Sequence, residues 1–105
     1  MHDCFTITEI LNYEDLGLAE RGEGWKLIEE GHTHLEGKFP VNASGGLLSC
    51  GHPIGATGMR LIYEVLRQLQ GRAGKVQVKD AQLGLAHNVG GPGTVSCVAI
   101  LGNPQ

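Results

Sequence analysis

The sequence predicts an α/β fold in which helices pack against a small sheet. Three observations lead to this prediction: a helical apolar pattern over residues 55–70, two runs of β-type residues over 82–87 and 94–101, and an apolar fraction of 41%. That fraction is sufficient for a folded core. The length of 105 residues suits one domain or a piece of one. We therefore treat residues 1–105 as one unit.

Residues 5–16 are predicted to form the first helix. Their apolar side chains recur at roughly helical spacing and define one buried stripe. The stripe consists of Phe5, Ile7, Ile10, Leu11 and Leu16. Gly17 follows the last turn, where glycine commonly ends a helix. Residues 19–34 are charged and contain three glycines, which predicts a loop with at most one helical turn over residues 25–30. Residues 39–42 favour a short extended piece.

Residues 55–70 form the clearest predicted element, a helix that ends at Gly71. Its apolar positions follow the i, i+1, i+4, i+5, i+8 pattern of one buried face. These positions are Leu61, Ile62, Val65, Leu66 and Leu69. Residues 76–78 are predicted to be a connector that could include a short strand.

Residues 82–87 and 94–101 are predicted to be strands, because β-type residues are frequent in both. The segment Asn88-Val89-Gly90-Gly91-Pro92-Gly93 between them is typical of a sharp reversal. The two strands should therefore be antiparallel neighbours, and Cys97, in the middle of the second, should lie in the core.

Charge and cysteine content exclude several classes of function. The net charge is −3 and no basic cluster is present, so a nucleic-acid partner is not expected. No apolar run approaches the ~20 residues that span a bilayer. Cys4, Cys50 and Cys97 are an odd number without repeated spacing, and His32 and His34 lack zinc-ligand spacing. We therefore expect reduced thiols, a cytoplasmic location and no bound metal.

The first candidate site is the loop Gly51-His52-Pro53. Glycine-rich residues 45–58 lead into the predicted helix, so backbone N–H groups and the positive helix end face the loop. Pro53 restricts its own backbone and that of His52. A histidine so placed can donate a hydrogen bond to an oxyanion or accept a proton from a nucleophile. Spacing alone fits a structural loop histidine equally well.

Two further segments could contribute chemistry. His87 ends a predicted strand, and catalytic groups often lie at strand ends of α/β folds, although a chance hairpin histidine fits as well. The motif His2-Asp3-Cys4-Phe5 begins the first helix, where Asp3 could cap the helix. A helix N-terminus also favours a thiolate, which would make Cys4 a better acid/base. A buried inert thiol is the more common alternative.

Four ordered motifs together resemble the C-terminal part of a thiolase. They are His2-Asp3-Cys4-Phe5, Asn42-Ala43-Ser44-Gly45-Gly46, Gly51-His52-Pro53-Ile54-Gly55-Ala56-Thr57-Gly58 and His87-Asn88-Val89-Gly90-Gly91. The match covers residues 2–102 and most resembles the sterol-carrier-protein-type and archaeal branch. The resemblance implies a thiolase-like C-terminal half over residues 1–105, with helices packed on a partial mixed β-sheet and the N-terminal half absent. The related 3-ketoacyl synthases share the fold but carry a His-Gly-Thr-Gly loop, so we rank that alternative lower.

The resemblance also implies roles for side chains at matching positions. His52 corresponds to the histidine that activates the nucleophilic cysteine and helps bind the thioester oxygen. Cys4 corresponds to the acid/base cysteine of this branch. His2 replaces the asparagine that holds an oxyanion-binding water, and His87 lies where other thiolases carry their acid/base cysteine.

The implied substrate is an acyl-CoA thioester, with no separate cofactor. The backbone of Gly51, Gly90 and Gly91 would approach the substrate. The implied reaction is Claisen condensation of acyl-CoA thioesters or the reverse thiolysis, which requires a thiolate, a base and oxyanion stabilisation. No cysteine here matches the nucleophile, so we expect an inactive chain until an N-terminal half completes it. The alternatives are self-association as a homo-oligomer and a non-catalytic binding or assembly module.

Overall fold

The computed structural model describes residues 1–104, and it contains four α-helices followed by a β-hairpin. The elements are α1 (Thr6–Asp15), α2 (Gly24–Glu29), α3 (Gly46–Cys50), α4 (Thr57–Leu69), a 3-10 turn (Gly74–Val76), β1 (Leu83–Gly90) and β2 (Val95–Gly102). The predicted α/β class is confirmed. None of the helices in these residues combines the length and apolar character needed to cross a bilayer.

The two strands pair antiparallel, as predicted, with Leu83 opposite Gly102 and Gly90 opposite Val95. The strand β1 runs three residues beyond the predicted end, so the reversal is confined to residues 91–94. Gly91 has a φ of 59°, in the left-handed region that glycine adopts without strain. Within residues 1–104 the sheet consists of this one pair. The predicted mixed sheet is therefore corrected to an antiparallel hairpin.

Helix α4 packs on one face of β1, and Gly84 permits the close approach. A Cβ atom at Gly84 would lie 2.5 Å from Cγ1 of Val65, well inside van der Waals contact. Leu61 and Leu69 are buried in this contact layer, whereas Leu66 is exposed. The predicted helix is confirmed, but its buried face is narrower than the five predicted positions.

Helix α1 confirms the predicted element but not its predicted buried face. Phe5, Ile7 and Leu11 of the apolar stripe are exposed. The buried residues of α1 are Asn12 and Tyr13. The polar atoms of these two side chains have partners, since the Asn12 amide donates to the carbonyl of His2 and the Tyr13 hydroxyl donates to Glu9. Burial therefore leaves neither polar group unsatisfied.

Helix α2 is the single short helix predicted within residues 19–34, while α3 was not predicted. Residues 39–42 and 76–78 form no strand, and a 3-10 turn precedes Gln77 instead. The cysteines Cys4, Cys50 and Cys97 are free. Cys97 is exposed, which corrects its predicted place in the core, because α4 covers mainly β1.

The sheet face opposite α4 is uncovered over much of its area. Alternation along the strands places Leu83, Leu85, Val98 and Ile100 on that face, and all four side chains are exposed. We call these four residues the open sheet face. Each strand of a two-stranded sheet also has one unpaired edge. The hairpin thus presents both apolar side chains and free backbone groups.

Candidate functional site

His2 is buried and is held by two elements that are distant in sequence. Its main-chain carbonyl accepts the side-chain amide of Asn12 in α1. Its ring nitrogen Nδ1 lies 2.8 Å from Oδ1 of Asn88 in β1. An amide oxygen can only accept, so Nδ1 donates. A Cβ at Gly58 would lie 2.9 Å from Nδ2 of Asn88, so the glycine leaves room for this amide.

His52 projects from the loop between α3 and α4, and it is exposed. Its Nδ1 lies 2.6 Å from Oγ1 of Thr57, the first residue of α4. Thr57 is 1% exposed, and its hydroxyl also lies 3.1 Å from the carbonyl oxygen of Pro53. The turn between His52 and α4 therefore fixes one edge of the ring and leaves the rest accessible.

The structure brings His2 and His52 together as an edge-to-face pair. Their ring centroids are 5.0 Å apart, and the ring planes form an angle of 85°. This arrangement brings the electropositive edge of one aromatic ring to the face of the other. Each Nδ1 is engaged by a neighbouring side chain, so each ring has its Nε2 left for other partners. Two imidazoles so arranged can accept a proton at Nε2 and, once protonated, donate a hydrogen bond from the same atom to a small polar ligand.

Asp3 joins the N-terminal motif to α3 instead of capping α1. The residue before α1 is Phe5, and it makes no side-chain cap. The Asp3 Oδ1 atom accepts the backbone N–H of Leu47 at 3.0 Å, within the first turn of α3. A carboxylate is favourable there because it meets the unpaired N–H groups of the helix. The predicted cap is thus a cap, but on another helix.

Arg60 of α4 fixes the other end of α3. One guanidinium nitrogen, Nη1, donates to the carbonyl of Cys50 at 2.9 Å and reaches that of Gly51 at 3.5 Å. The Nε of Arg60 is bonded to Glu64 at 3.0 Å. Glu64 also accepts the hydroxyl of Ser44 at 2.8 Å. The loop that carries His52 is therefore anchored by both flanking helices.

His87 is buried in β1, on the strand that also carries Asn88. Its Nε2 lies 3.0 Å from Oγ of Ser96 on β2. Its Nδ1 is buried without a hydrogen-bond partner in the part of the chain that the structure describes. Burial lowers the pKa of His87, and the nearby amino terminus and His2 act in the same direction, while Asp15 opposes them. The neutral form of the ring is therefore favoured.

The remaining candidates lie outside the histidine pair. Cys4 is exposed, and its Sγ lies 3.8 Å from the hydroxyl of Thr8. Gly51 follows α3 with a φ of 84°, while Gly90 ends β1 and Gly91 begins the turn. All three glycines are exposed, and the N–H of Gly51 donates to the carbonyl of Leu47 at 2.8 Å. The catalytic and binding roles of these residues stay predictions.

Sequence reasoning did not assign roles to Asp3, Thr57 and Asn88 in the site. All three lie inside the four motifs, at positions next to or near a candidate histidine. The sequence feature that could have pointed to two of them is a glycine in a neighbouring motif. Gly46 leaves room for the Asp3 side chain, and Gly58 leaves room for that of Asn88. In residues 1–104 no group of three His, Cys, Asp or Glu side chains could hold a metal ion.

Comparison with known proteins gives the family. The family described as thiolase C-terminal domain-like matches residues 1–103. The chain is 52% identical over 100 residues to an acetyl-CoA acetyltransferase of Methanothermobacter thermautotrophicus, covering 95% of the chain and 26% of that relative. It is 48% identical over 95 residues to sterol carrier protein 2 of Bos taurus, covering 90% of the chain and 18% of that relative.

A third relative is benzoylsuccinyl-CoA thiolase subunit BbsB of Thauera aromatica. It is 41% identical over 92 residues, covering 87% of the chain and 24% of that relative. The chain thus spans about a quarter or less of the length of these three relatives. The family match nevertheless covers both candidate histidines and nearly the whole chain. The chain belongs to the thiolase family and corresponds to its C-terminal domain.

Proposed function

We propose that this chain supplies the proton-transfer and oxyanion-binding half of a thiolase that acts on acyl-CoA thioesters. The observation that carries the proposal is the edge-to-face pair of His2 and His52, whose ring centroids are 5.0 Å apart. Claisen condensation and thiolysis both pass through charged oxygens and require a base. Two imidazoles with free Nε2 atoms provide a base at one place, and a ring that has taken up a proton there becomes a hydrogen-bond donor to a charged oxygen.

The roles divide between the two rings according to their exposure. His52 is exposed and is the base that activates a cysteine thiol from the other half of the enzyme. His2 is buried and its Nδ1–H is held by Asn88, which suits a fixed group that holds a water molecule at Nε2 better than a mobile base. Cys4 is exposed and serves the second acyl group as acid/base, and His87 contributes a buried ring from β1. The exposed backbone of Gly51, Gly90 and Gly91 approaches the substrate.

The catalytic thiolate comes from a separate polypeptide region. The relative from M. thermautotrophicus is named an acetyl-CoA acetyltransferase, and this chain covers 26% of it. We infer that the remaining part of such an enzyme completes the site. We expect the completed protein in the cytoplasm, where its three free cysteines stay reduced.

Acyl transfer by the completed enzyme tests the proposal. The chain should be mixed with a polypeptide that corresponds to the unmatched part of the M. thermautotrophicus relative. Thiolysis of acetoacetyl-CoA is then measured. The chain alone should be inactive, and the mixture should be active. His52→Ala should reduce the restored rate by about 10²–10⁴-fold, the usual contribution of a general base.

His32→Ala is the matched control, because His32 is a histidine of the connecting segment that pairs with Glu30 at 3.0 Å. It should leave the restored rate unchanged. Substantial activity of the chain alone, or full activity of the His52→Ala mixture, would contradict the proposal.

A second function, a non-catalytic binding or assembly module, is favoured by one observation. The open sheet face exposes four apolar side chains on the side opposite α4. Contiguous exposed apolar surface marks interaction sites. If this function is the correct one, the complementary polypeptide binds but acyl transfer does not return. The mixing experiment therefore separates the two functions.

A further inference from the structure

The contacts of Thr57 determine which nitrogen of His52 carries the ring hydrogen. Thr57 is 1% exposed, so its hydroxyl has to find its partners within the protein. Two partners are present: Nδ1 of His52 at 2.6 Å and the carbonyl oxygen of Pro53 at 3.1 Å. A hydroxyl has one hydrogen to donate and two lone pairs to accept with. The carbonyl oxygen can only accept, whereas a ring nitrogen can take either role.

Two arrangements of the hydrogens are possible. In the first, Nδ1–H of His52 donates to the hydroxyl, and the hydroxyl donates to Pro53, so both contacts are hydrogen bonds. In the second, the hydroxyl donates to Nδ1, and the two oxygens then face each other without a hydrogen between them. The Pro53 oxygen also accepts the backbone N–H groups of Ala56 at 2.8 Å and Thr57 at 3.0 Å, so it stays satisfied in both cases. The first arrangement contains one more hydrogen bond and no repulsive oxygen pair.

We propose that Thr57 is a positioning residue that holds His52 in the Nδ1–H tautomer and so makes Nε2 the proton-accepting atom. The tautomer is a property of this chain, whereas its catalytic meaning rests on the proposed function. When Nε2 accepts a proton from a thiol, the S–H bond breaks, an N–H bond forms, and a thiolate and an imidazolium result. The Nδ1–H bond to Thr57 is the same before and after. No hydrogen bond has to rearrange while the charge develops.

Ring ¹⁵N chemical shifts of the uniformly labelled chain test the proposal directly. The two nitrogens of a neutral imidazole differ in shift according to which one carries hydrogen. Spectra are recorded near pH 8.5, where an ordinary histidine is neutral, and the His52 signals are assigned from their loss in His52→Asn. The wild-type chain should give a protonated Nδ1 and an unprotonated Nε2.

Two variants of Thr57 separate the hydroxyl from the side-chain shape. Thr57→Val keeps the branched shape and removes the hydroxyl, so the ratio of Nδ1–H to Nε2–H forms should fall by about five-fold or more, the factor of one typical hydrogen bond. Thr57→Ser keeps the hydroxyl and should retain the wild-type ratio. If Thr57 acted only through its shape, Thr57→Val would keep the wild-type ratio of the two tautomers.

An Nε2–H tautomer in the wild-type chain would overturn the proposal, as would an unchanged ratio in Thr57→Val. The ¹⁵N measurement on the wild-type chain tests the proposal even if Thr57→Val does not fold. It uses no substrate and no second polypeptide, so its outcome is independent of the acyl-transfer experiment. If the mixture of the two polypeptides were inactive while His52 showed the Nδ1–H tautomer, the proposed function would be refuted and the tautomer proposal would stand.

Discussion

At the scale of single residues, the buried side chain of His87 makes the stability of the protein sensitive to pH. Burial lowers the pKa of His87, and its Nδ1 has no partner in residues 1–104. Above pH ~6.5, the ordinary value for histidine, the ring is neutral in the folded and the unfolded chain. As the pH falls below that value, the unfolded chain takes up the proton first. The free energy of unfolding therefore decreases until the pH reaches the lowered pKa of the folded state.

Replacement of His87 by glutamine should remove this pH dependence. Glutamine keeps a polar group within reach of Ser96 and cannot take up a proton near neutral pH. The free energy of unfolding is measured by urea titration at pH 7.5 and 5.5 for the wild-type chain and for His87→Gln. The wild type should lose more stability between these two pH values than the variant. Carboxylates titrate in both proteins, so they cancel in the comparison, and equal losses would contradict the prediction.

The individual site residues show what a sequence can and cannot specify. His2 and His52 were candidates from their motifs, because histidine in a glycine-rich setting is chemically conspicuous. Their contact joins residues 50 positions apart in the chain, and no local pattern encodes that distance. Thr57 and Asn88 were not assigned because a threonine and an asparagine have many ordinary roles. Only their distances to the rings, 2.6 Å and 2.8 Å, distinguish them.

At the scale of elements, α3 shows how a residue distant in sequence can stabilise a short helix. It has five residues, too few for a helical period to emerge, and it begins in a glycine-rich segment. Its first turn is capped by Asp3, 44 residues away. Gly46 is needed there for two reasons: its φ is 65°, and a Cβ at this position would overlap with Oδ2 of Asp3. Longer elements such as α4 were predictable because their own periodicity is sufficient.

Gly46→Ala should therefore destabilise the protein more than Gly74→Ala. Gly74 has a similar φ of 61°, and a Cβ added there would have no atom within 4 Å, so its replacement costs only the left-handed backbone, about 1–2 kcal/mol. Gly46→Ala adds the displacement of Asp3 and the loss of its cap, about another 1 kcal/mol. Urea titrations of both variants measure the difference.

The Asp3→Ala background checks the cause of that difference. When the carboxylate is absent, the added Cβ has nothing to displace, and Gly46→Ala should cost about as much as Gly74→Ala. The coupling between positions 3 and 46 is the quantity that a double-mutant cycle isolates. Purely additive costs would show that Asp3 is not the group that excludes a side chain at position 46.

At the scale of the whole molecule, the sequence predicted the class and the antiparallel hairpin but not which surfaces are buried. Periodicity identifies an apolar face without saying what covers it. The outward stripe of α1 and the open sheet face are both apolar and both exposed. Their composition is that of surfaces that pack against other protein, and the relatives are several times longer than this chain. At both places the described residues 1–104 leave the apolar side chains exposed.

An uncovered sheet face should make the isolated chain self-associate, and Ile100 is the position to test. Its side chain is 71% exposed on β2. Because burial of one such side chain contributes about 1.5–3 kcal/mol, Ile100→Lys should raise the dissociation constant of the assembly by at least about ten-fold. Sedimentation velocity over a concentration series measures this. Ile54→Lys is the matched control, since Ile54 is 87% exposed in the loop before α4, is not part of the open sheet face and receives the same charge. Both variants should keep the free energy of unfolding within about 0.5 kcal/mol of the wild type. A wild-type chain that stays monomeric at high concentration, or equal effects of the two substitutions, would exclude the open sheet face as the contact surface.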